Sequence, residues 1–556
     1  MKHKKRLKLY ATNLAALTLL AACGTDSGTD SADANSNMDS ATTGTNGDKT
    51  LDVQFDVEVA SMDPQIGTDG ASFEVISSII EGLYQLDSSG DPVLGMAESA
   101  EMSEDGLTYT FKLRDASWTN GDPVTADDFV YAWRRLADPD TGSEYAYIMG
   151  IAGVENAGDV IDGTADPDQL GVTALDDKTL EVKLSNPVPY FESLMAFISF
   201  FPMNQAFMEE VGDDYGTSAD TLIANGAFKV EAYEPLTTSI KLVKNEDYYD
   251  AENVAIDALN FQVIKDSQQA MLSYQNGDID VVALAGEQVD LFKDDPEFVN
   301  IQDGFVWYIS PNTMVEGLDN ANLRKAIATS IDKESIVNTA LKDGSKPANY
   351  IVPVDLANGP DGEDFRSTTG TYLEYDPEAA VALFEEAKDE LAAEEFTFSM
   401  LVEDTESAVN VSQMLKSQIE ENLEGVTIEI EQMPKKTRLD RMKSKDYDLG
   451  LTRWGPDYAD PMTYLDLWVT DGFNNDGSWT NAEYDELIFS SQNGELSLDK
   501  EARWEALKEA EQIILDDAGV LPVYQKGSAV MIKSNVSGVD FHSVGVPRVF
   551  KNATID

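Results

Sequence analysis

Apolar and polar residues alternate strictly through Leu51-Asp-Val-Gln-Phe-Asp-Val-Glu-Val59, the period-two pattern of a half-buried strand. Leu107, Tyr109, Phe111 and Leu113 repeat it, as do Leu180, Val182 and Leu184. The clearest stretch comes later. Asp376-Pro377-Glu378 reads as a helix start, with a capping side chain, proline at the first position and an acid in the first turn, and leads into Ala379–Leu391. Phe396–Val402 predicts a strand, and Ala408, Val411, Leu415 and Ile419 mark the buried stripe of a helix. Val426, Ile428 and Ile430 predict a second strand, Thr437–Lys443 a helix and Tyr447–Trp454 a third strand. A β-α-β-α-β order implies a parallel sheet with right-handed crossovers, so the fold class is α/β. Ligands of such sheets sit beyond the carboxyl ends of the strands. The loop Gly455-Pro-Asp-Tyr-Ala-Asp-Pro461 is therefore the best placed for function.

The first fifty residues follow other rules. Met1–Lys8 carries five Lys or Arg and precedes the mostly apolar run 10–22, the layout of an export signal. The run is shorter than the roughly 20 residues a membrane-spanning helix needs. It ends in Leu20-Ala-Ala-Cys23, which resembles the lipobox of bacterial lipoproteins, where the cysteine is lipidated and becomes the new N-terminus. Residues 24–50 are rich in Ser, Thr, Asp, Asn and Gly and predict a flexible tether. Two acyl chains on Cys23 would anchor the chain stably where one would not. No later segment is apolar enough to span a membrane, so the body is expected to be exported and tethered from outside.

Composition narrows the chemistry. The 556 residues contain 39 Lys and Arg against 102 Asp and Glu, two histidines and one cysteine. A disulfide framework, a CxxC redox centre and a thiolate zinc site are excluded. His3 and His542 leave little for a histidine triad or a histidine-rich metal site, and no cofactor motif occurs. Removing residues 1–22 takes away five basic groups and no acidic one, leaving 34 against 102 and a charge of −68. Such a body does not bind nucleic acid, and the membrane is reached through the lipid alone.

Several constellations invite a chemical reading. Asp457 and Asp460 form a candidate carboxylate dyad, as in glycoside hydrolysis, or act as turn caps, or one of them receives a ligand ammonium. Trp307-Tyr308, Trp454 and Tyr458 belong to a cleft or to the core. The Asp-rich stretches 138–144 and 474–477 lack the twelve-residue calcium loop and read as surface turns. The acids as a class are expected to face solvent.

The segment Ala97–Val130, AESAEMSEDGLTYTFKLRDASWTNGDPVTADDFV, resembles the signature of the bacterial extracellular solute-binding proteins of family 5, which feed peptides to ABC importers. The resemblance continues through Tyr131–Pro139, Leu184–Phe191, Ala224–Phe228, Gly277–Asp280, Leu323–Ala328, Arg453–Pro461 and Val520–Tyr524, in the family's order. It implies a two-lobed clamshell with an additional third domain: one lobe from 50–79, 203–305 and 534–556, the extra domain from 80–202, and the other lobe from 306–533. The implied protein is a non-catalytic, monomeric oligopeptide receptor that delivers its ligand to the permease subunits.

The resemblance also implies site residues. Asp457, in the family's W-x-x-D-Y segment, takes the peptide's α-ammonium, flanked by Arg453, Trp454, Gly455 and Tyr458. Tyr145 lines the cleft, and Asn225-Gly226 and the strand 451–454 lie alongside the ligand. Three positions depart from the pattern. Lys435 stands where some members have a cleft tryptophan, and Leu451 where they have an arginine for the ligand carboxylate. Thr68, beside Asp69, stands where they have an acid. These departures point to longer or hydrophobic peptides, with signalling peptides among them. The competing readings are another solute on the same fold (a dipeptide, a metal chelate or an oligosaccharide) and a carboxylate-only hydrolase.

Overall fold

The computed structural model describes residues 49–233 and 238–556. The export signal, Cys23 and the tether up to residue 48 lie outside the described residues. The first strand, β1, spans Thr50–Phe55 and is followed by α1, Gly70–Ile79. A separate four-stranded antiparallel sheet is built from β2 (Ala97–Met102), β3 (Thr108–Leu113), β4 (Val172–Asp176) and β5 (Thr179–Lys183), in the order β2-β3-β5-β4. The chain then returns through β6 (Phe228–Ala232), β7 (Ser239–Lys244), β8 (Ala258–Val263) and β9 (Val281–Ala283) to the long strand β10, Phe298–Pro311.

The later α/β unit matches the sequence pattern closely. Helix α2, Pro377–Leu391, starts where Asp376 accepts the Ala379 amide at 2.9 Å. It leads to β11 (Phe396–Glu403), α3 (Glu406–Asn422), β12 (Val426–Met433), α4 (Lys435–Lys443) and β13 (Leu449–Trp454). β11 pairs parallel with both β12 and β13. It is largely buried, because Ala408, Val411, Leu415 and Ile419 of α3 pack with Phe398, Met400 and Val402 in one core. Helix α5, Lys500–Asp516, and strand β14, Leu521–Ile532, complete the set. The main sheet runs β12-β11-β13-β10-β14-β9-β1-β8-β7-β6. Its two halves form the two lobes of an α/β clamshell, and the four-stranded sheet belongs to the third domain.

The halves are joined through β10 and β14. Phe298–Gln302 pairs with Met531–Gly527 on one side, and Val306–Ile309 with Gln525–Leu521 on the other. The ladder is interrupted between Gln302 and Val306, so the bend falls at Asp303-Gly304-Phe305. There the Gln525 amide donates to the Asp303 carbonyl at 3.0 Å, and Ser528 and Lys526 donate to its carboxylate at 3.1 and 3.2 Å. A Cβ on Gly304 would collide with the Ser543 carbonyl and lie 2.6 Å from Pro456. Gly304→Ala is therefore expected to lower stability by about 1–3 kcal/mol through overpacking. The check is the urea midpoint, and an unchanged midpoint would mean that these segments yield freely.

Two expectations are corrected here. The strand predicted over 51–59 stops at Phe55, whose partner Val263 is the last residue of β8, and Asp56 turns out of the sheet. Nor do the acids uniformly face solvent: Asp63, Glu74, Glu81, Asp128, Glu403, Asp460 and Glu511 are buried. Guanidiniums compensate several of them, with Arg135 on Asp63 at 2.6 Å, Arg548 on Glu74 at 2.9 Å and Arg366 on Glu511 at 2.6 Å. Burying a carboxylate is tolerable only with such partners.

Candidate functional site

A cavity of about 700 Å³ lies between the lobes. One wall carries Phe55 and Asp56 from the end of β1, Phe73 and Glu74 from α1, and Arg548. The third domain adds Tyr145 and Phe197, and the opposite lobe adds Thr452–Asp457 and one face of α4. This wall is the crevice outside the carboxyl ends of β11 and β13, where strand order places successive strands on opposite sides of β11.

Asp457 sits in the loop leaving β13, whose geometry is fixed from behind. Its own amide donates to Thr463 Oγ1 at 3.1 Å, and the Ala459 amide donates to Ser193 Oγ at 2.9 Å. Asp460 is clamped by Arg503 through two bonds of 2.7 and 2.8 Å. The two carboxylates thus have different fates. Asp460 is neutralised in the interior, whereas Asp457 lines the cavity, so they do not form a dyad facing one bond.

Among the described residues, no Lys or Arg pairs with Asp457. Its side-chain partner is the Tyr147 hydroxyl, which donates at 3.4 Å. Burial pushes the carboxyl up to about 6, and Tyr147 draws it back slightly. Asp466, behind it, is pushed up to about 7 by burial and by the charges of Asp457 and Asp460. A carboxylate without a paired cation favours an incoming ammonium, whose arrival supplies the missing charge.

The surroundings are aromatic. Tyr145 packs on Tyr147, Phe197 and Phe73 with ring centroids 5.8, 5.0 and 6.1 Å apart, which gives this end of the cavity an aromatic lining. Trp454 lines the wall with a buried indole N–H that has no hydrogen-bond partner. A Cβ on Gly455 would run into the Phe305 ring, so any larger residue there needs that ring to move. Tyr308 reaches the cavity, while Trp307 stacks on Tyr524 at 5.6 Å in the core.

Strand β13 offers a second resource. On its β10 side it is paired from Leu449 to Trp454, but on its β11 side the register covers only Leu449 and Gly450. From Leu451 to Trp454 no ladder pairing with β11 is made among the described residues, and Thr452–Trp454 borders the cavity. An open strand edge binds an extended chain through its backbone, whatever its side chains.

The sequence-based candidates divide accordingly. Arg453, Trp454, Gly455, Asp457 and Tyr145 line the cavity. Tyr458, Asn225 and Gly226 are not among the residues that line it. Tyr458 is buried and stacked on Tyr190 with centroids 4.1 Å apart, joining the third domain to the second lobe. Asn225 clamps the backbone of Glu81, accepting its amide at 3.0 Å and donating to its carbonyl at 3.1 Å. A Cβ on Gly226 would lie 2.9 Å from the backbone of Ile79. These two residues secure the passage from α1 into the third domain. Among the departures, Lys435 and Thr68 line the cavity, Leu451 is fully buried, and Asp69 caps α1 by accepting the Ser72 amide at 2.9 Å.

Sequence reasoning missed the basic face of α4, where Lys435, Arg438 and Lys443 line the cavity. The signal was legible as KKTRLDRMK, five basic residues in nine. Asn474 and Asp476, read as a surface turn, also line the wall, with Asp476 paired to Lys443 at 3.3 Å.

Comparison with known proteins agrees with this geometry. Residues 91–476 match the family model of the bacterial extracellular solute-binding proteins, family 5. The oligopeptide-binding protein OppA of Bacillus subtilis is 33% identical over 99% of both chains. OppA of Listeria monocytogenes, solved bound to peptide, is 35% identical with a TM-score of 0.71, covering 92% of this chain and 99% of that one. The unliganded open form of the periplasmic murein tripeptide-binding protein MppA is 28% identical with a TM-score of 0.79, covering 92% and 98%.

Proposed function

This chain belongs to the bacterial extracellular solute-binding proteins of family 5, and from that premise we propose that it is a peptide receptor of an ABC importer. The observation that carries the reading is Asp457, a carboxylate on the cavity wall with no cation of its own among the described residues. It takes the free α-amine of a peptide, and the open edge of β13 reads the backbone that follows. Closing the lobes over the ligand creates the form that the permease accepts. The protein changes no bond in its ligand and acts as a monomer without a cofactor. After loss of residues 1–22, two acyl chains on Cys23 hold it to the outer face of the cell membrane. Among the described residues, no helix is long and apolar enough to cross a membrane. The intact mass of membrane-extracted protein reads cleavage and acylation directly.

Calorimetric titration with peptides and their Nα-acetylated counterparts tests the ligand. The free-amine form is expected to bind, and equal binding of the acetylated form would exclude the role of Asp457. Native mass spectrometry of co-purified ligands identifies the natural class.

The same contact predicts a pH dependence. Below about 6 Asp457 is protonated and offers no charge, whereas a peptide amine stays protonated up to about 8. Affinity is expected to be nearly flat between about pH 6.5 and 7.5, to fall again as the amine deprotonates near 8, and to be about tenfold lower at pH 5 than at pH 7. A titration series at fixed ionic strength reads it. The dependence should vanish in Asp457→Asn, and its persistence there would assign it to another group, with Asp466 the nearest.

A further inference from the structure

Building on the peptide reading above, we propose that Tyr190 and Ser193 of the third domain are positioning residues for amine recognition, and that their grip on the loop carrying Asp457 ties capture of the amine to closure of the lobes. Three consecutive residues of that loop each meet a side chain of the third domain. The Tyr147 hydroxyl donates to Asp457 Oδ1 at 3.4 Å. Tyr190 stacks on Tyr458 with ring centroids 4.1 Å apart and planes at 16°. Ser193 Oγ accepts the Ala459 amide at 2.9 Å. Tyr190 immediately precedes the short helix Phe191–Leu194 and Ser193 lies within it, so a spacing of three turns both side chains to the loop. Tyr190, Ser193 and Tyr458 are all buried. With Tyr147 on Oδ1, the second carboxylate oxygen remains for the ammonium.

The third domain itself is fastened to the first lobe. Arg135 pairs with Asp63 at 2.6 Å, and the Gln65 side-chain amide donates to the carbonyls of Ser199 and Phe201 at 3.2 Å. The Thr119 amide donates to the Ala224 carbonyl at 2.9 Å. The three loop contacts, and the Asn186 amide on Asn493 Oδ1 at 2.6 Å, are made instead to the second lobe. Bending at Asp303-Gly304-Phe305 moves one lobe against the other, so these contacts part on opening while the fastenings to the first lobe hold. A stack and a neutral hydrogen bond are weak enough to break and directional enough to fix a loop. Both events act on one segment. The ammonium reaches Asp457 from the cavity, and Tyr190 and Ser193 hold residues 458 and 459 from the side away from it. Each event then favours the other, and by linkage the coupling is reciprocal.

Calorimetry on an alanine tetrapeptide and its Nα-acetylated form, in the parent and in Tyr190→Leu, Tyr190→Phe and Ser193→Ala, tests the assignment. Leucine fills much of the ring's space but cannot stack, phenylalanine keeps the stack, and alanine at 193 leaves the Ala459 amide unpaired. The ratio of the two affinities reads the amine contact alone, because a general loss of folding or of cleft contacts lowers both forms together. It is expected to shrink about tenfold in Tyr190→Leu, the scale of a hydrogen bond to a charged group, and about threefold in Ser193→Ala. Tyr190→Phe should restore the parent ratio. Ser193→Ala removes a single hydroxyl and keeps the ratio measurable even where Tyr190→Leu fails to fold. Small-angle scattering of the peptide-saturated proteins should show the Tyr190→Leu form more open than the parent, and equal compactness would overturn the tie to closure. A ratio unchanged in the folded variants overturns the positioning role while the peptide reading stands. If the parent itself does not prefer the free amine, the reading of Asp457 falls and takes the positioning role with it.

Discussion

Replacing Asp457 with alanine is expected to cut the affinity for peptides bearing a free α-amine by about 3–5 kcal/mol, more than two decades in Kd. The size follows from what remains after the change. The cavity end is walled by Tyr145, Phe73 and Phe197, so an ammonium enclosed there by the closed lobes and left unpaired has lost water and gained nothing, which is the costly half of a broken buried ion pair. The intact pair adds less net affinity than this loss suggests, because both charges were desolvated to make it. Nα-acetylation of the peptide should cause a comparable loss in the native protein and little further loss in the variant. Calorimetry on the four combinations measures the coupling, and additive losses would show that the amine and Asp457 do not meet.

The second large effect concerns the loop rather than the ligand. Arg503→Met strips Asp460 of its two guanidinium bonds and leaves a buried charge, at a cost of about 3–5 kcal/mol in stability. Chemical unfolding at neutral pH reads it. Arg503 holds the segment that positions Asp457, so peptide affinity should fall as well, even where the variant remains folded. Adding Asp460→Asn should recover part of the stability, because the uncompensated charge is gone. A variant as stable as the parent would mean that water reaches Asp460 and the pair is not isolated.

Much of this was legible in the chain wherever the determinants are local. The start of α2 follows from Asp376-Pro377-Glu378 with no knowledge of its neighbours, and the stripe of α3 from spacing alone. Strand order in the later lobe then located the loop carrying Asp457. What was illegible depends on partners remote in sequence. The clamp between Asn225 and Glu81 spans 144 residues, so the asparagine reads as a turn residue until the fold brings them together. The Glu74–Arg548 pair closes over 474 residues. The basic run of α4 has the composition of a solvated helix face, and what turns Arg438 inward is Glu403, 35 residues earlier in the chain. The end of β1 is likewise set by the length of its partner β8, a property of another segment.

The crossing of both connections within one hydrogen-bonded strand pair has a kinematic consequence. A single connection would act as a swivel and let one half twist freely against the other. Two connections side by side, β10 and β14, resist torsion and leave bending at the interrupted register near Gly304 as the soft coordinate. The relative placement of the walls then reduces to essentially one angle. A bulkier guest does not require a differently shaped container, only a different value of that angle.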